Sequence, residues 1–502
     1  MAALRVALTA CSLGRARRIV YVAPYLSILS QATDEMRKAT GLEVLQHHHL
    51  STVQEVDFAE DDDLLLMESW QAPIVTTTFS QLFLALFPKK AQHTMRLRAL
   101  EGAFIIVDEP QVINRTSWKV FLQMIEALAK RANATILFTT ATMPPVQGGL
   151  SLSPFNLVDR AFILPPRYKI EYQQGELDTQ SIASRAAEDL RAGKNVAVVM
   201  STIRGAATLY EAIEREVDKW SDGKTKSLYF LSGALSPVHK AAVIDEARHA
   251  LTHSGGIGVV STQVIEAGVD LSFHRIYREN PIIPSIVQVA GRANRHGEED
   301  EPAIVTVFDY VDEGGRGKRQ YVYRSSIWRE ETDRLLNEFG DRWTETETGL
   351  ILSSFYRACQ ERSPDEAFLS YLIDGACGTW SSLRRVKPFE DDGQRVGVFV
   401  PWKGSLPEYL ERAMSAFGIS TPDEVYDRYL EPGFLQGLSF LRRKLFMSIL
   451  QSMSVPLSFR NARAVADSGG QKAVWCLVDL SRYHPVTGLS RVGESDVSFS
   501  IL

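Results

Sequence analysis

Phe104-Ile105-Ile106-Val107-Asp108-Glu109-Pro110-Gln111 sets the architecture of the chain. Its four apolar residues match a short strand buried on both faces, which is the type of strand that parallel sheets contain. Two carboxylates follow directly, at the carboxyl end of that strand, where open α/β sheets bind their ligands. The stretch therefore predicts a parallel α/β domain with a ligand site at Asp108 and Glu109.

Apolar runs of the same kind recur along the chain, separated by stretches with a helical pattern. They are Ile19–Ala23, Thr135–Phe138, Val196–Val199, Leu228–Leu231, Gly258–Val260 and Ile304–Val307. This alternation predicts an α/β architecture. Breaks at Leu164-Pro165-Pro166 and at residues 312–317 predict linkers. We expect domains at residues 1–163, 168–311 and 346–502, with a linker helix region at residues 312–345.

Composition excludes several classes of protein. Hydrophobic residues make up 45% of the 502 residues and charged residues 23%, which is typical of a soluble globular protein. Because no run of about 18 apolar residues occurs, we expect no membrane span. The 4 cysteines are widely spaced, without a CxxC pair, which favours a reducing cytoplasm over a disulfide framework or a zinc site. At a net charge of -6, any nucleic-acid contact must come from a local groove.

The two carboxylates have a specific chemical interpretation. Asp108 can hold a magnesium ion through water, as the second acidic element of P-loop ATPases does. Glu109 can then orient and deprotonate an attacking water molecule. The alternative is that the acids only cap the amino terminus of a helix, a position that acidic residues favour.

Two further segments follow predicted strands. In Thr139-Thr140-Ala141-Thr142-Met143-Pro144, hydroxyls can bond to the acids and relay the state of the nucleotide. The alternative is an ordinary threonine-rich strand end. Ser261–Asp270 combines polar side chains with Gly268, which suits a loop that contacts both a phosphate backbone and a nucleotide. The alternative there is a simple strand-to-helix connection with Gly268 in a turn.

The fourth segment is Gln288-Val289-Ala290-Gly291-Arg292-Ala293-Asn294-Arg295. On a helix, Gln288, Arg292 and Arg295 would share one face. Arginine suits phosphate because its planar fork binds oxygen atoms bidentately and stays charged. The alternative is a solvated basic face. All four segments, in this order and each in its expected context, predict an ATP-driven motor.

The segments together resemble superfamily 2 helicases, and more narrowly the CRISPR-associated helicase of type I systems. The narrower resemblance rests on short runs that are similar to motifs of that family. They are Val22–Ile28 with Gln31, Val44–His49, Val75–Phe83, Leu231–Pro237 and, more weakly, Tyr483–Leu489. The strong resemblance covers about residues 1–310. The His-His run and Val75–Phe83 favour this family over an RNA helicase or a restriction-type translocase.

The resemblance implies an α/β fold of two tandem RecA-like parallel-sheet lobes plus a mainly helical C-terminal accessory region. It implies ATP and Mg²⁺ as cofactors, with single-stranded DNA and a Cascade-like CRISPR targeting complex as partners. Asp108 would hold the metal, Glu109 would activate water, and Thr140 and Thr142 would couple hydrolysis to movement.

The same resemblance assigns residues beyond the acids. Gln288, Arg292 and Arg295 would reach the triphosphate, and Gly268 and Asp270 would lie at the nucleotide. The residues expected along the DNA path are Pro24, Tyr25, Thr77, Thr78, Ser201, Thr202, Arg204, Thr262 and Gln263.

The chain departs from the family in two major respects, and the first is the phosphate-binding loop. It contains no Walker A sequence, G-x-x-x-x-G-K-[ST], whose amides and lysine cradle phosphates. Gly223-Lys224-Thr225 has Asp218 in place of the first glycine, and Gly317-Lys318 is followed by Arg319. Relatives carry the loop just before the helix that Ala2–Leu8 resembles, so we expect a fragment of a longer protein. The first strand of the first lobe would also be missing, which leaves an unfinished sheet edge.

The second major departure concerns the nuclease, and a milder one concerns Gln111. No histidine is followed by aspartate, so the His-Asp metal motif of the family's nuclease is absent from this sequence. We therefore expect the nuclease on a missing N-terminal part or on a separate chain. Gln111 stands where many relatives have histidine. The competing hypothesis is a non-hydrolysing nucleic-acid-binding scaffold derived from a helicase.

Overall fold

The computed structural model describes most of the chain. The described residues are 2–48, 66–146, 149–151, 153–157, 165–220, 227–253, 256–266, 269–312, 319–339, 342–362, 366–383, 385–389, 395–470 and 472–490. They form two compact units. The first comprises Met1–Ile163, Ser363–Asp392 and Leu438–Ser448, and the second comprises Leu164–Arg362, Gly393–Gly437 and Ile449–Leu502. The domain limits expected from the sequence stay a prediction.

A five-stranded parallel sheet forms the centre of the first unit, in the order β2-β3-β1-β4-β5. Its strands are β1 (Arg18–Ala23), β2 (Val44–His47), β3 (Ile74–Thr78), β4 (Ala103–Asp108) and β5 (Thr135–Thr139). Helices whose limits lie within the described residues of this part of the chain are α1 (Ala2–Ser12), α2 (Leu26–Thr40), α3 (Phe79–Leu86), α4 (Ala91–Thr94), α5 (Leu97–Leu100) and α6 (Arg115–Arg131).

The apolar character of these strands reflects packing on both faces. Phe104, Ile105, Ile106 and Val107 of β4 are 4% exposed or less, because helices cover both sides of the strand. In β5, the apolar side chains of residues 136–138 are only half-buried. β5 has one strand neighbour in the described part of the sheet and is therefore its edge.

The second unit contains a seven-stranded sheet in the order β12-β6-β11-β10-β7-β9-β8. The strands are β6 (Tyr168–Leu177), β7 (Val196–Val199), β8 (Leu228–Leu231), β9 (Gly258–Ser261), β10 (Arg275–Glu279), β11 (Ala303–Tyr310) and β12 (Arg342–Thr344). All neighbours are parallel except β12, which pairs antiparallel with β6. Its helices are α7 (Thr179–Arg191), α8 (Ile203–Asp218), α9 (Pro237–His253), α10 (Ile283–Ala290), α11 (Arg319–Val322), α12 (Ser326–Glu338) and α13 (Thr348–Arg362).

These two sheets and their helices confirm the α/β class predicted from the sequence. Beyond α13 the chain is mainly helical: α14 (Glu366–Ala376), α15 (Trp380–Leu383), α16 (Glu408–Ser415), α17 (Pro422–Leu430), α18 (Phe434–Gly437), α19 (Phe440–Ser452) and α20 (Phe459–Val465). It also contains a four-stranded sheet, β14-β13-β16-β15. These strands are β13 (Arg395–Phe399), β14 (Ser454–Ser458), β15 (Ala466–Asp467) and β16 (Val474–Leu477).

A C-terminal hairpin packs within the second unit. Its strands are β17 (Tyr483–His484) and β18 (Gly488–Leu489). The Tyr483 hydroxyl accepts a hydrogen bond from the Ser236 amide at 3.1 Å and lies 2.9 Å from His239 Nδ1. Gly488 has φ +74°, and a Cβ there would lie 2.4 Å from the carbonyl oxygen of Ala234. The hairpin therefore requires glycine at this close approach.

None of the helices in the described residues is long and apolar enough to cross a membrane. All four cysteines are free thiols.

A buried polar cluster stabilises the first unit beside β2. Trp70 Nε1 donates to His47 Nδ1 at 3.1 Å, which leaves the other ring nitrogen to face Glu68 Oε1 at 3.5 Å. Arg96 pairs with Glu68 at 2.5 Å and lies over the Trp70 ring. Lys444, from α19, lies 4.0 Å from the same carboxylate. A buried carboxylate between two cations is stable only while it stays ionised.

Titration of this cluster makes stability depend on pH. Burial lowers the pKa of His47 to about 4, although the hydrogen bond to Glu68 opposes this. Burial alone would raise the pKa of Glu68, but hydrogen bonds and charges from His47 and Arg96 hold it well below its usual value. Both groups bind protons more weakly in the folded chain than in the unfolded chain. Their stabilising contribution is therefore complete above the unfolded pKa values and is lost as the pH falls.

We expect the free energy of unfolding to fall as pH decreases from about 6.5 to about 4, with up to about 3 kcal/mol of the loss due to His47. His47→Asn keeps a neutral acceptor for Trp70 and should show a flatter pH dependence in urea unfolding. The control is His484→Asn in the exposed hairpin, which should keep the wild-type pH dependence. An unchanged pH dependence in His47→Asn would contradict this assignment.

Candidate nucleotide and nucleic-acid sites

The acidic site lies at the carboxyl ends of β4 and β5. Glu109 has φ 53° and ψ 53°, the left-handed conformation, which costs a residue with a Cβ about 1–2 kcal/mol. Its amide donates to the carbonyl of Thr139 at 2.8 Å, and a 3₁₀ turn, Pro110–Val112, follows. Strained backbone of this kind occurs preferentially at functional sites. The turn directs the chain away from the sheet directly after Asp108.

Asp108 accepts one hydrogen bond on each carboxylate oxygen. Thr139 Oγ1 donates to Oδ1 at 2.5 Å, and the Tyr21 hydroxyl donates to Oδ2 at 2.5 Å. Burial, and then the charge of Asp108, raise the pKa of Tyr21 well above its usual value, so the phenol remains a donor. A carboxylate offers about four lone-pair positions, so two remain for the water molecules of a magnesium ion. The geometry of Asp108 therefore fits a magnesium ligand.

Two side chains from different segments, Gln111 and Thr140, form hydrogen bonds with the Glu109 carboxylate. The Gln111 amide donates to Glu109 Oε2, and Thr140 Oγ1 lies 3.0 Å from the same oxygen. Thr140 Oγ1 also lies 2.7 Å from Gln111 Oε1 and accepts from the Thr142 amide at 2.9 Å. The structure thus brings the two predicted acids and the two predicted coupling threonines together. Hydrogen bonds therefore connect Glu109 to Thr140 and Thr140 to Thr142, and the coupling role of the two threonines stays a prediction.

The bond from Thr139 to Asp108 is of the kind expected for the hydroxyls of this segment, whereas sequence reasoning missed Tyr21. A signal for Tyr21 was present, since it is the aromatic hydroxyl within the otherwise aliphatic run Ile19–Ala23. No local pattern shows that its hydroxyl reaches a strand 87 residues away, because this depends on the pairing of β1 with β4. Among the described residues, no group of three or more His, Cys, Asp or Glu side chains could hold a metal ion by itself.

The DNA-contact residues predicted in the first unit lie at the ends of β1 and β3. Pro24 and Tyr25 are buried and directly precede α2. Thr77 is fully buried, and its hydroxyl donates to the carbonyl of His47 at 2.8 Å. Thr78 occupies the N-cap position of α3. Their role on a nucleic acid stays a prediction.

In the second unit, the predicted DNA contacts lie at the carboxyl ends of neighbouring strands β7 and β9. Gln263 Nε2 donates to the carbonyl of Ser201 at 3.1 Å, and Thr202 caps α8 by accepting from the Gly205 amide at 3.1 Å. Thr262 is 3% exposed, whereas Arg204 is exposed on the first turn of α8. The structure therefore groups these residues in two adjoining loops.

Glu279 was missed by the sequence reasoning. Its carboxylate, 3% exposed at the end of β10, accepts from the Ser201 amide at 2.6 Å. With Gln263, it fixes both polar groups of the Ser201 backbone. Burial, the dominant effect, raises the pKa of Glu279 despite this hydrogen bond. The signal was a pair of adjacent opposite charges, Arg278-Glu279, inside an otherwise buried strand.

The expected single helix through Gln288, Arg292 and Arg295 is wrong. α10 ends at Ala290, and Asn294 has φ 42°. The physical reason is that residues 292–294 pair with the extended backbone of Phe273. The Phe273 amide donates to the carbonyl of Arg292 at 3.0 Å, and the Asn294 amide donates to the carbonyl of Phe273 at 3.0 Å. The three side chains therefore do not form one helical stripe.

The two arginines have different surroundings. Arg292 is 9% exposed and donates to the carbonyls of Ile265 and Glu266, at 3.1 and 2.9 Å. Arg295 is about one-third exposed and pairs with Asp270 at 2.8 Å. Gln288 is the one residue of α10 that is not buried. Gly268, predicted at the nucleotide, lies outside the described residues.

The different surroundings of Arg292 and Arg295 predict different losses of stability when each is replaced by alanine. Arg292→Ala leaves two buried carbonyls without donors, which should lower the free energy of unfolding by about 2–4 kcal/mol. Arg295→Ala removes a partly exposed ion pair and should cost less than about 1 kcal/mol. Urea unfolding of the two variants beside the wild type measures the difference. Equal losses would show that Arg292 does not support the 265–266 turn.

Comparison with known proteins shows what this chain is similar to. The model for the DEAD/DEAH box helicase matches residues 1–148, and the model for the C-terminal part of the CRISPR-associated nuclease/helicase Cas3 matches residues 192–298. The Cas3 of Haloferax volcanii is 25% identical over 389 residues, covering 57% of this chain and 42% of that protein. The Cas3 of Methanothermobacter thermautotrophicus is 26% identical over 226 residues, covering 41% of this chain and 26% of that protein.

Solved structures share the fold. T. fusca Cas3 with AMPPNP superposes with a TM-score of 0.68 at 14% identity, over 97% of this chain and 67% of that one. A chain of a CRISPR RNA-guided surveillance complex, pre-nicking, gives a TM-score of 0.55 at 14% identity, over 95% of this chain and 66% of that one. The chain spans less than half the length of the curated relatives it matches. The two family models and the curated relatives therefore agree with the fold: over residues 1–148 and 192–298, the chain is similar to the CRISPR-associated helicases of superfamily 2.

Proposed function

We propose that the chain is the motor part of a type I CRISPR interference protein and moves along single-stranded DNA at the expense of ATP. The observation that carries this proposal is the arrangement at the ends of β4 and β5. Asp108 is oriented there by Tyr21 and Thr139, and Glu109 by Gln111 and Thr140. Two carboxylates with separate supporting hydrogen bonds suit two different tasks, one at the metal and one at the attacking water.

The residues of this site have distinct roles in the proposed reaction. Asp108 holds Mg²⁺ through water, and the ion when bound neutralises charge on the phosphate oxygens. Glu109 Oε accepts the proton of the attacking water and orients it for displacement at the γ-phosphate. Thr140 and Thr142 respond to the state of Glu109. Arg295, Asp270, Gln288, Arg292 and Gly268 are the further residues proposed for the nucleotide.

The 502-residue chain alone should hydrolyse ATP slowly, because its sequence contains no G-x-x-x-x-G-K-[ST]. The amides and the lysine of that loop supply much of the electrostatic stabilisation of the transferring phosphate. The second candidate function is a scaffold that binds nucleic acid without hydrolysis. The partner proposed for both functions is a Cascade-like targeting complex in the cytoplasm, with nuclease activity on another segment or chain.

DNA binding is proposed for the loops of both units. The loops at residues 24–25, 77–78, 201–204 and 262–263 carry hydroxyl, amide and guanidinium groups, and among these residues Arg204 is the one whose side chain is exposed. Its guanidinium suits phosphate oxygens, which carry no sequence information. Charge neutralisation at phosphates releases counterions, so binding of this kind weakens with salt. A sequence-tolerant grip is what a translocating motor requires.

We expect the wild-type chain to bind labelled single-stranded DNA, with the affinity falling by at least about tenfold between about 50 and about 200 mM salt. Arg204→Ala removes one phosphate contact and should reduce the salt slope by about 0.7–1 for every DNA sequence tested. Arg215→Ala, exposed on the same helix, is the matched control and should bind like the wild type. Fluorescence anisotropy measures both. Absence of single-stranded DNA binding by the wild type would refute both candidate functions.

We expect ATP turnover by the 502-residue chain with saturating single-stranded DNA to stay below about 1 per second, the low end for related phosphoryl-transfer enzymes. A coupled phosphate-release assay measures it. Glu109→Gln shows whether residual turnover comes from this site, since it removes the proton acceptor. Turnover of about 1 per second or faster that Glu109→Gln abolishes would contradict the dependence on a phosphate loop.

A further inference from the structure

The Arg278 guanidinium lies in the interior of the second unit, where its side chain is fully buried. It belongs to β10, the central strand between β11 and β7. Burying a charge at this position costs free energy unless hydrogen-bond partners replace the lost water. The residues that compensate come from four other elements, and one of them, Glu266, ends the turn that begins at the predicted contact Gln263.

Arg278 Nη2 has three partners. It lies 3.0 Å from Glu266 Oε1, 3.0 Å from Ser285 Oγ and 2.7 Å from the Tyr323 hydroxyl. Ser285 Oγ also donates to Glu266 Oε1 at 2.7 Å and lies 3.1 Å from the Tyr323 hydroxyl. Arg278 Nη1 donates to the carbonyl of Val199 at 3.1 Å. The guanidinium thus joins β7, the 263–266 turn, α10 and the residue that follows α11.

The same turn is held from its other side. Arg292 donates to the carbonyls of Ile265 and Glu266, so the backbone and the side chain of Glu266 are each bound to a different arginine. Both arginines are buried. A 3₁₀ turn of four residues has few internal hydrogen bonds, so its conformation depends on such external donors. The ion pair and the two carbonyl bonds together fix it.

The network continues to the loop after β7. Gln263, the first residue of the same 3₁₀ turn, donates from its side-chain amide to the carbonyl of Ser201 at 3.1 Å. Glu279, adjacent to Arg278 in sequence, accepts from the Ser201 amide. The turn that Arg278 holds at Glu266 is therefore joined at Gln263 to the 201–202 loop, whose backbone Glu279 holds as well. These are the two segments proposed to bind DNA in this unit.

We propose that Arg278 is a positioning residue for single-stranded DNA binding, acting through Glu266 and Tyr323 on the loops at Ser201–Thr202 and Thr262–Gln263. This inference rests on the proposed DNA-binding function of those loops. In this proposal, Arg278 itself does not contact the DNA. Its contribution is to hold donors at a fixed spacing, so that consecutive phosphates meet groups already in place and less ordering entropy is lost on binding.

The competing explanation is that the network only stabilises the fold. The two explanations separate because a buried ion pair can be replaced by apolar side chains of similar volume with little loss of stability, and sometimes with a gain. Arg278→Met alone leaves Glu266 buried and unpaired and should be destabilised. Arg278→Met with Glu266→Met removes both charges, which restores apolar packing but not the hydrogen bonds to Ser285 and Tyr323.

The experiment measures thermal unfolding and single-stranded DNA affinity, at several salt concentrations, for the 502-residue chain and its variants. We expect the double variant to unfold within about 3 °C of the wild type. Its DNA affinity should still be lower by about tenfold, with a reduced salt slope. Tyr323→Phe, which removes one hydroxyl without creating a cavity, should weaken binding about threefold.

Arg275→Met is the matched control, because Arg275 is a second ion-paired arginine of β10 at the opposite end of the strand. It should bind DNA like the wild type. A double variant that is stable and binds DNA with wild-type affinity and salt slope would overturn the proposal, since the network would then serve the fold alone. The wild-type chain tests the proposed function itself. If it does not bind single-stranded DNA, both the proposed function and the positioning role of Arg278 are overturned.

Discussion

Burial of the parallel strands on both faces is the constraint on which the rest of this structure depends. A strand such as β4, with Phe104–Val107 almost fully buried, has no room for chemistry along its length. Polar groups are therefore restricted to the strand ends, and in a parallel sheet all carboxyl ends lie at one edge. The acids after β4, the threonines after β5 and the polar loops after β7, β9 and β10 follow from this single restriction.

Hydrogen bonds to the main chain convert those strand ends into defined sites. Glu109 is held in a left-handed conformation by the carbonyl of Thr139 and by its own side-chain partners. In the second unit, Glu279 and Gln263 fix the Ser201 backbone, and Arg292 fixes the carbonyls at 265–266. Several conspicuous side chains are thus engaged with the protein itself. Their first effect is to set the geometry of a neighbouring loop.

Arg292 and Arg295 show how much this distinction matters. The sequence alone leads to the same prediction for both arginines, namely a guanidinium group that binds phosphate. In the folded chain, Arg292 is buried against two carbonyls, whereas Arg295 is partly exposed and shares an ion pair with Asp270. An exposed ion pair can exchange its partner for a ligand at low cost, whereas a buried arginine must break compensating bonds first.

The sequence by itself determined the α/β class, most of the central strands and the identity of the two acids, because continuous apolar runs and the residues that end them are local features. In the two main sheets it missed β2, β3, β6, β10 and β12, whose polar residues obscure the pattern. For example, β10 has the sequence Arg275-Ile276-Tyr277-Arg278-Glu279. It also extended α10 through Arg295, since nothing local shows that Phe273 pairs with residues 292–294. Only the tertiary structure decided that Tyr21 reaches Asp108, that Arg278 is buried beside Glu266, and which arginine stays accessible. These facts depend on strand order and on packing between distant segments, which residue type and spacing do not encode.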